Sequence, residues 1–268
     1  MLKQRFLTAL VLAPLALWGL FALVGWAFAL FTGSVLVIAA WEWSRLSGLP
    51  AWGQLVYPAA IALALWGAWG QPHLLQQSLW AAAFFWVLAL FFVATYPRTR
   101  GWWRCPARRA LMGVFVLIPA WAGFILLAEL GSFWLLYVLL IAWVADIFAY
   151  FAGRRFGQHK LAPAVSPGKS REGVAGGLVG TTLLSLAASL YLGLAASASL
   201  TLLVFTLLIT LVSVLGDLTE SLVKREAGMK DSSQLLPGHG GFMDRMDSLT
   251  SAAPLFALLL LVFGQGLL

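Results

Sequence analysis

Apolar runs of roughly 17–25 residues, each long enough to cross the ~30 Å hydrocarbon layer of a bilayer, recur along this chain with only short links between them. They can be placed at 6–24, 26–44, 53–70, 77–95, 110–128, 133–152, 173–195, 199–217 and 248–266. Only 10% of the residues are charged and 62% are hydrophobic, whereas a soluble domain carries about 25% charged residues. In lipid every backbone polar group must be satisfied within its own segment, so the runs are expected to be helices. The expected fold is an all-α, polytopic integral membrane protein with about nine transmembrane helices. Residues 1–130 form an N-terminal part of about five spans. Residues 131–268 form a C-terminal part carrying two polar loops, 153–172 and 218–247. The first run outlasts the short apolar core of a signal peptide and reads as an uncleaved span. The single cysteine, Cys105, leaves no disulfide to form within the chain.

The positive charges choose an orientation. With the N-terminus in the cytoplasm, all 17 Lys and Arg fall on one side of the membrane. The opposite links, "QPHLLQQ", "ELGS" and "ASAS", contain none. Cytoplasmic loops of membrane proteins carry such an excess. The net charge of +7 suits a surface beside anionic lipid or a nucleotide. Nucleic acid is a poor partner, because the basic residues lie in loops against a membrane. The segment "YPRTRGWWRCPARRA" reads as a topology anchor with an interfacial aromatic belt.

The ten acids carry more information, because a topology anchor does not need them. Asp146 interrupts the helix "LLIAWVADIFAYFAG", and Asp217 ends another in "LVSVLGDLTES". An acid in a span costs about 2.5–3.5 kcal/mol at the centre and less near the ends. A helix–helix hydrogen bond or an ion pair would account for Asp146 equally well. On a helix, Asp217 shares a face with Ser221, and Asp244 shares one with Asp247. Like charges so spaced repel unless a divalent cation lies between them. Asp217, Asp244 and Asp247 therefore form a candidate metal–phosphate site, since Mg²⁺ takes one or two carboxylates plus waters and phosphate oxygens. The alternative is a solvated, helix-capping pair of aspartates.

The surrounding bases fit the same scheme. Lys224, Arg225, Lys230 and Arg245 bring positive charge to the loop, Arg as a two-donor fork and Lys as a point charge. Pro237, Gly238, Gly240 and Gly241 allow a tight turn that presents backbone N–H groups to an anion. His239 between them is a base, a phosphate donor or a turn residue. In the other loop, "GKS" lacks the glycine and the preceding strand of a P-loop, which rejects a Walker fold. Lys169 and Ser170 remain candidate phosphate contacts. Gly173, Gly176, Gly177 and Gly180 stand at helical spacing and read as a close helix-packing face.

The stretch 221–247 resembles the signature of the phosphatidate cytidylyltransferases, or CDP-diacylglycerol synthases. The residues that carry the resemblance are Ser221, Lys224-Arg225, Lys230-Asp231, Ser233, Leu236-Pro237, His239-Gly240-Gly241 and Asp244-Arg245-Met246-Asp247. The similarity extends to "AAWEWSRLSG", "WVADIFAYFAGRRFGQHKLAPAVSPGKS" and "VLGDLTES". Arg171 departs from the pattern, because relatives carry an aromatic residue there. The resemblance implies that CTP and phosphatidate react to CDP-diacylglycerol and pyrophosphate with Mg²⁺, for which Mn²⁺ is an alternative and beside which a second cation has room. It implies metal ligation by Asp217, Asp244 and Asp247. Lys224 and Arg225 would act on the reacting phosphates, and Asp146, Lys169, Ser170, Ser221, Lys230, His239, Gly240, Gly241 and Arg245 would bind substrate. A homodimer is compatible with it, and so is a bacterial inner membrane with the site facing the cytoplasm. Two rival readings are a cation transporter, for which the outer links are too poor in charge, and a CTP-using lipid kinase, which would release CDP instead of pyrophosphate.

Overall fold

The structure is a computed structural model that describes residue 10 and residues 14–267. Its elements in chain order are α1 (14–21), α2 (Gly25–Leu46), α3 (Ala51–Ala68), α4 (Pro72–Thr95), α5 (Arg100–Trp103), α6 (Pro106–Leu130), α7 (Ser132–Phe156), β1 (Lys160–Ala162), β2 (Ser166–Ser170), α8 (Arg171–Tyr191), α9 (Ala196–Glu226) and α10 (Met243–Phe263). Among the described residues, eight helices (α2–α4 and α6–α10) are long and apolar enough to cross a membrane. The first expected span, 6–24, lies partly outside the described residues, and α1 is its described helix. The protein is thus an all-α, multi-pass membrane protein with one short hairpin.

Two boundaries differ from the sequence expectation. The span expected at 199–217 continues to Glu226, giving a 31-residue helix. At 1.5 Å per residue that is about 46 Å, longer than a hydrocarbon layer of about 30 Å, so its last turns stand clear of the apolar zone. Asp217, Ser221, Lys224 and Arg225 are therefore held on a rigid helix and not in a loop. Likewise the polar segment between α7 and α8 is not a loose loop: β1 and β2 pair antiparallel, with Lys160 opposite Ser170.

Two glycine faces set how the helices approach. A Cβ at Gly176 would overlap Ala152, and one at Gly177 or Gly173 would press on the Ala145 or Ala149 carbonyl. These glycines draw α8 onto α7, as their spacing predicts, and close packing is what holds helices together where lipid offers no hydrophobic drive. At the centre, α10 packs on α6, α9, α4 and α7. Gly123 of α6 lies against the backbone of Ala253 and Pro254, where no larger residue would fit.

Contacts between distant segments show that the charged links gather at one end of the bundle. The Trp43 indole N–H near the end of α2 donates to the Arg109 carbonyl at the start of α6 (2.8 Å). Arg100 pairs with Glu226 at the end of α9 (3.1 Å), and the Tyr96 hydroxyl donates to the same carboxylate (2.7 Å). Arg225 Nε donates to the Val165 carbonyl at the tip of the hairpin (3.2 Å). The hairpin base is tied by Glu172, which accepts from the backbone N–H of Gln158 and His159 and pairs with His159 Nδ1 (2.6 Å).

Candidate active site

At this end, α7, α8, α9 and the hairpin enclose a cavity of about 330 Å³. Asp146 and Arg154 of α7 line it, with Lys169 and Ser170 of the hairpin and Thr210 of α9. Lys169 reaches across to Asp217 of α9, with Nζ 2.5 Å from Oδ2, and both side chains remain about a quarter exposed. Ser221, one turn further along α9, donates to the other Asp217 oxygen (3.1 Å). Asp146 lies within electrostatic reach of both Lys169 and Asp217. Asp247, on the first turns of α10, in turn lies within reach of Asp217, Lys169 and Lys224. The structure therefore places Asp146, Lys169, Asp217 and Asp247, from four separate elements, within electrostatic reach of one another.

It does not bring Asp244 into that group. One Asp244 oxygen faces Lys224 Nζ (2.8 Å). The other accepts from the Ser232 N–H and hydroxyl (2.9 Å each) and the Gly241 N–H (2.8 Å). Through these contacts the carboxylate organises the 227–242 loop. Among the described residues, no three His, Cys, Asp or Glu side chains converge as a ligand group. The expected trio reduces to Asp217 and Asp247. Asp247 retains free lone pairs, since its one hydrogen bond is from the Ser248 N–H (2.7 Å). Two hard carboxylates within electrostatic reach of each other, one of them paired with the cavity-lining Lys169, fit a divalent ion.

Lys224 also differs from its expected role. It is held between Asp244 and Glu220 (3.1 Å), with only 12% of its side chain exposed. Glu220, itself 1% exposed, accepts no well-aligned hydrogen bond, so Lys224 is its counter-charge. An exposed lysine could swing to a phosphate, but this one is clamped by two buried acids.

The glycines likewise serve internal anions. Gly240 has φ +78°, and a Cβ there would strike the Asp244 carboxylate. A Cβ at Gly241 would fall on Ser232 and Glu42. The turn closes through His239 N–H to Leu236 O (2.8 Å) and Leu236 N–H to Gly240 O (2.9 Å). His239 stands in that turn with a buried Nδ1 that has no hydrogen-bond partner, and its carbonyl accepts from Arg245 Nε (3.0 Å). Ser170 caps α8 by accepting from the Gly173 N–H (3.1 Å), which leaves its proton able to donate into the cavity. Arg225, Lys230 and Arg245 are exposed at the polar end.

Two residues were missed from the sequence. Arg154 lines the cavity and was read only as one topology charge among many. Glu42 is fully buried near the end of α2, and an acid inside an apolar run was a legible signal by the reasoning applied to Asp146.

Fold and site together define a multi-pass membrane protein whose charged groups surround a cavity at one end of the helix bundle. The chain matches the cytidylyltransferase family over residues 3–263 and belongs to it. It is 49% identical over 269 residues to a phosphatidate cytidylyltransferase of Pseudomonas aeruginosa, covering 99% of both proteins. It is 41% identical to the one of Haemophilus influenzae, covering 96% of this chain and 98% of that protein. A Brucella suis phosphatidate cytidylyltransferase is 34% identical, with 98% and 95% covered.

Proposed function

We propose that this protein transfers the cytidylyl group of CTP to phosphatidate, giving CDP-diacylglycerol and pyrophosphate. The observation that carries the reading is the junction of Lys169, Asp217 and Asp247 at the edge of the α7–α9 cavity. It lies at the end of the bundle where the basic links gather, in a chain nearly half identical to a protein of that name.

The nucleophile is an oxygen of the lipid phosphate, which is already ionised at neutral pH. No general base is needed to make it reactive. The obstacle is electrostatic, because a phosphate anion must approach a triphosphate and charge then builds on the departing pyrophosphate. Catalysis rests on positioning and charge neutralisation. Lys169 and Arg154 line the cavity and would receive the lipid phosphate, with Ser170 donating. Beside the cavity α7 exposes Ile147, Tyr150 and Phe151, an apolar surface suited to acyl chains. Arg225, Lys230 and Arg245 face water and would meet the triphosphate. Asp217 and Asp247 would hold Mg²⁺, or Mn²⁺ in its place, which when bound supplies positive charge to the phosphate oxygens. Asp146, within electrostatic reach of Lys169, would help to orient it.

By the positive-inside rule this end faces the cytoplasm, where CTP is found. The bacterial relatives suggest an inner membrane. Purified protein given CTP, phosphatidate and Mg²⁺ should release pyrophosphate and form a CDP-lipid. Release of CDP with phosphorylated lipid would replace this reading with that of a lipid kinase.

A further inference from the structure

We infer that Glu42 is a positioning residue for the reaction: from α2 it caps the N-terminus of α10 and so fixes where Asp247 stands. The inference rests on the cytidylyltransferase reading of the site but assigns a task to a residue outside it.

Helix α10 begins at Met243, and its preceding residue, Phe242, offers no side-chain cap. The first backbone N–H groups of a helix have no partner inside the helix and need one from elsewhere. Here the partner comes from another part of the chain. Glu42 Oε2 accepts from the Met243 N–H (2.7 Å), and Oε1 accepts from the Phe242 N–H (3.0 Å). The same carboxylate accepts from the Ser233 hydroxyl (2.5 Å) and the Ser232 hydroxyl (3.1 Å). Glu42, Ser232 and Ser233 are all buried. An acidic side chain at a helix N-terminus lies where the backbone N–H groups and the helix dipole favour it.

Three further facts make this a built device. Gly241 packs so that any Cβ would overlap the Glu42 carboxylate and Ser232, so its lack of a side chain makes room for the acid. The one proton of the Ser232 hydroxyl lies between Glu42 (3.1 Å) and Asp244 (2.9 Å) and the Ser232 N–H donates to Asp244, so the two acids hold the loop from two sides. Finally, Asp247 lies one turn along α10 from the capped Met243. A change in how α10 begins would rotate or shift Asp247 relative to Asp217 on α9. A displacement of about 1 Å in a reacting group can cost about 100-fold in rate.

The test is Glu42→Gln, which keeps the shape but presents an N–H₂ group to donors. Wild-type formation of CDP-lipid tests the parent reading, and the ratio of variant to wild type tests the role of Glu42. We expect kcat to fall about 30-fold, as for a displacement of Asp247 of somewhat less than ~1 Å. KM for CTP and phosphatidate should stay within about threefold, since neither substrate touches the residue. Glu129→Gln, an exposed acid on α6, should match wild type. A Glu42→Gln enzyme with wild-type kcat would overturn the inference, as would one whose loss lies entirely in KM. If that variant does not fold, Ser233→Ala leaves the carboxylate in place and removes one donor. It should lower kcat about fivefold with unchanged helix content; an unchanged kcat there overturns the inference equally.

Discussion

Replacing Lys224 with Met should damage the protein's stability far more than its signature position suggests. Lys224 Nζ lies 2.8 Å from Asp244 and 3.1 Å from Glu220, and the side chains of these acids are 8% and 1% exposed. Met fills nearly the same volume, so packing is preserved and the missing charge is the perturbation. Removing one member of a buried ion pair leaves an uncompensated charge and typically costs about 3–5 kcal/mol. Here two carboxylates lose their shared counter-charge, which places the loss toward the upper part of that range. For a chain of this size the expected fall in Tm is on the order of 10 °C. The assay is thermal unfolding of the detergent-solubilised protein, followed by tryptophan emission. A second substitution separates this explanation from a generic defect. Glu220→Gln added to Lys224→Met removes one of the stranded charges and should recover about half of the loss, ~2 kcal/mol. If Lys224→Met melts like wild type, or if Glu220→Gln makes it worse, the clamp described here is wrong and Lys224 is free to serve substrate.

Two further substitutions have the opposite signature. Lys169→Met breaks a partly exposed pair, worth about 0–1 kcal/mol to stability, so Tm should barely move. It removes a cation from the cavity, so kcat/KM should fall about 100-fold; a large Tm change with normal turnover would refute its assignment. Asp247→Asn should lower turnover by at least ~1,000-fold without unfolding the protein. Full activity of that variant under Mg²⁺, measured as CDP-lipid formed, would remove Asp247 from the site.

Hydropathy and basic-residue placement were enough to read the helical, multi-pass architecture, because lipid leaves a chain few alternatives. They were not enough to end α9 correctly. The expected span stopped at Asp217, where the apolar character fails, but a helix need not stop where the bilayer does, and Asp217 and Ser221 bond across a turn. The hairpin around Lys169 escaped notice because "KLA" and "SPGKS" are too short to show a period of two, and Pro167 argues against a strand. Of the site, Asp146, Lys169, Asp217 and Asp247 were each legible as candidates, since an acid or base in or beside an apolar helix stands out. The pairing of Asp244 and Lys224 with each other and with the loop was not. Residue type and spacing are the same for a carboxylate that binds a metal and one that receives Ser232 and Gly241. Only the three-dimensional partners distinguish them.

The central claim is that the lipid phosphate attacks the α-phosphorus of CTP at this polar end. Turnover of CTP carrying label at either the α- or the γ-phosphate tests it most directly, using the purified protein with phosphatidate and Mg²⁺. The account predicts that α-label enters the lipid and γ-label leaves in pyrophosphate. Entry of γ-label into the lipid, or no label in the lipid from either nucleotide, would contradict it.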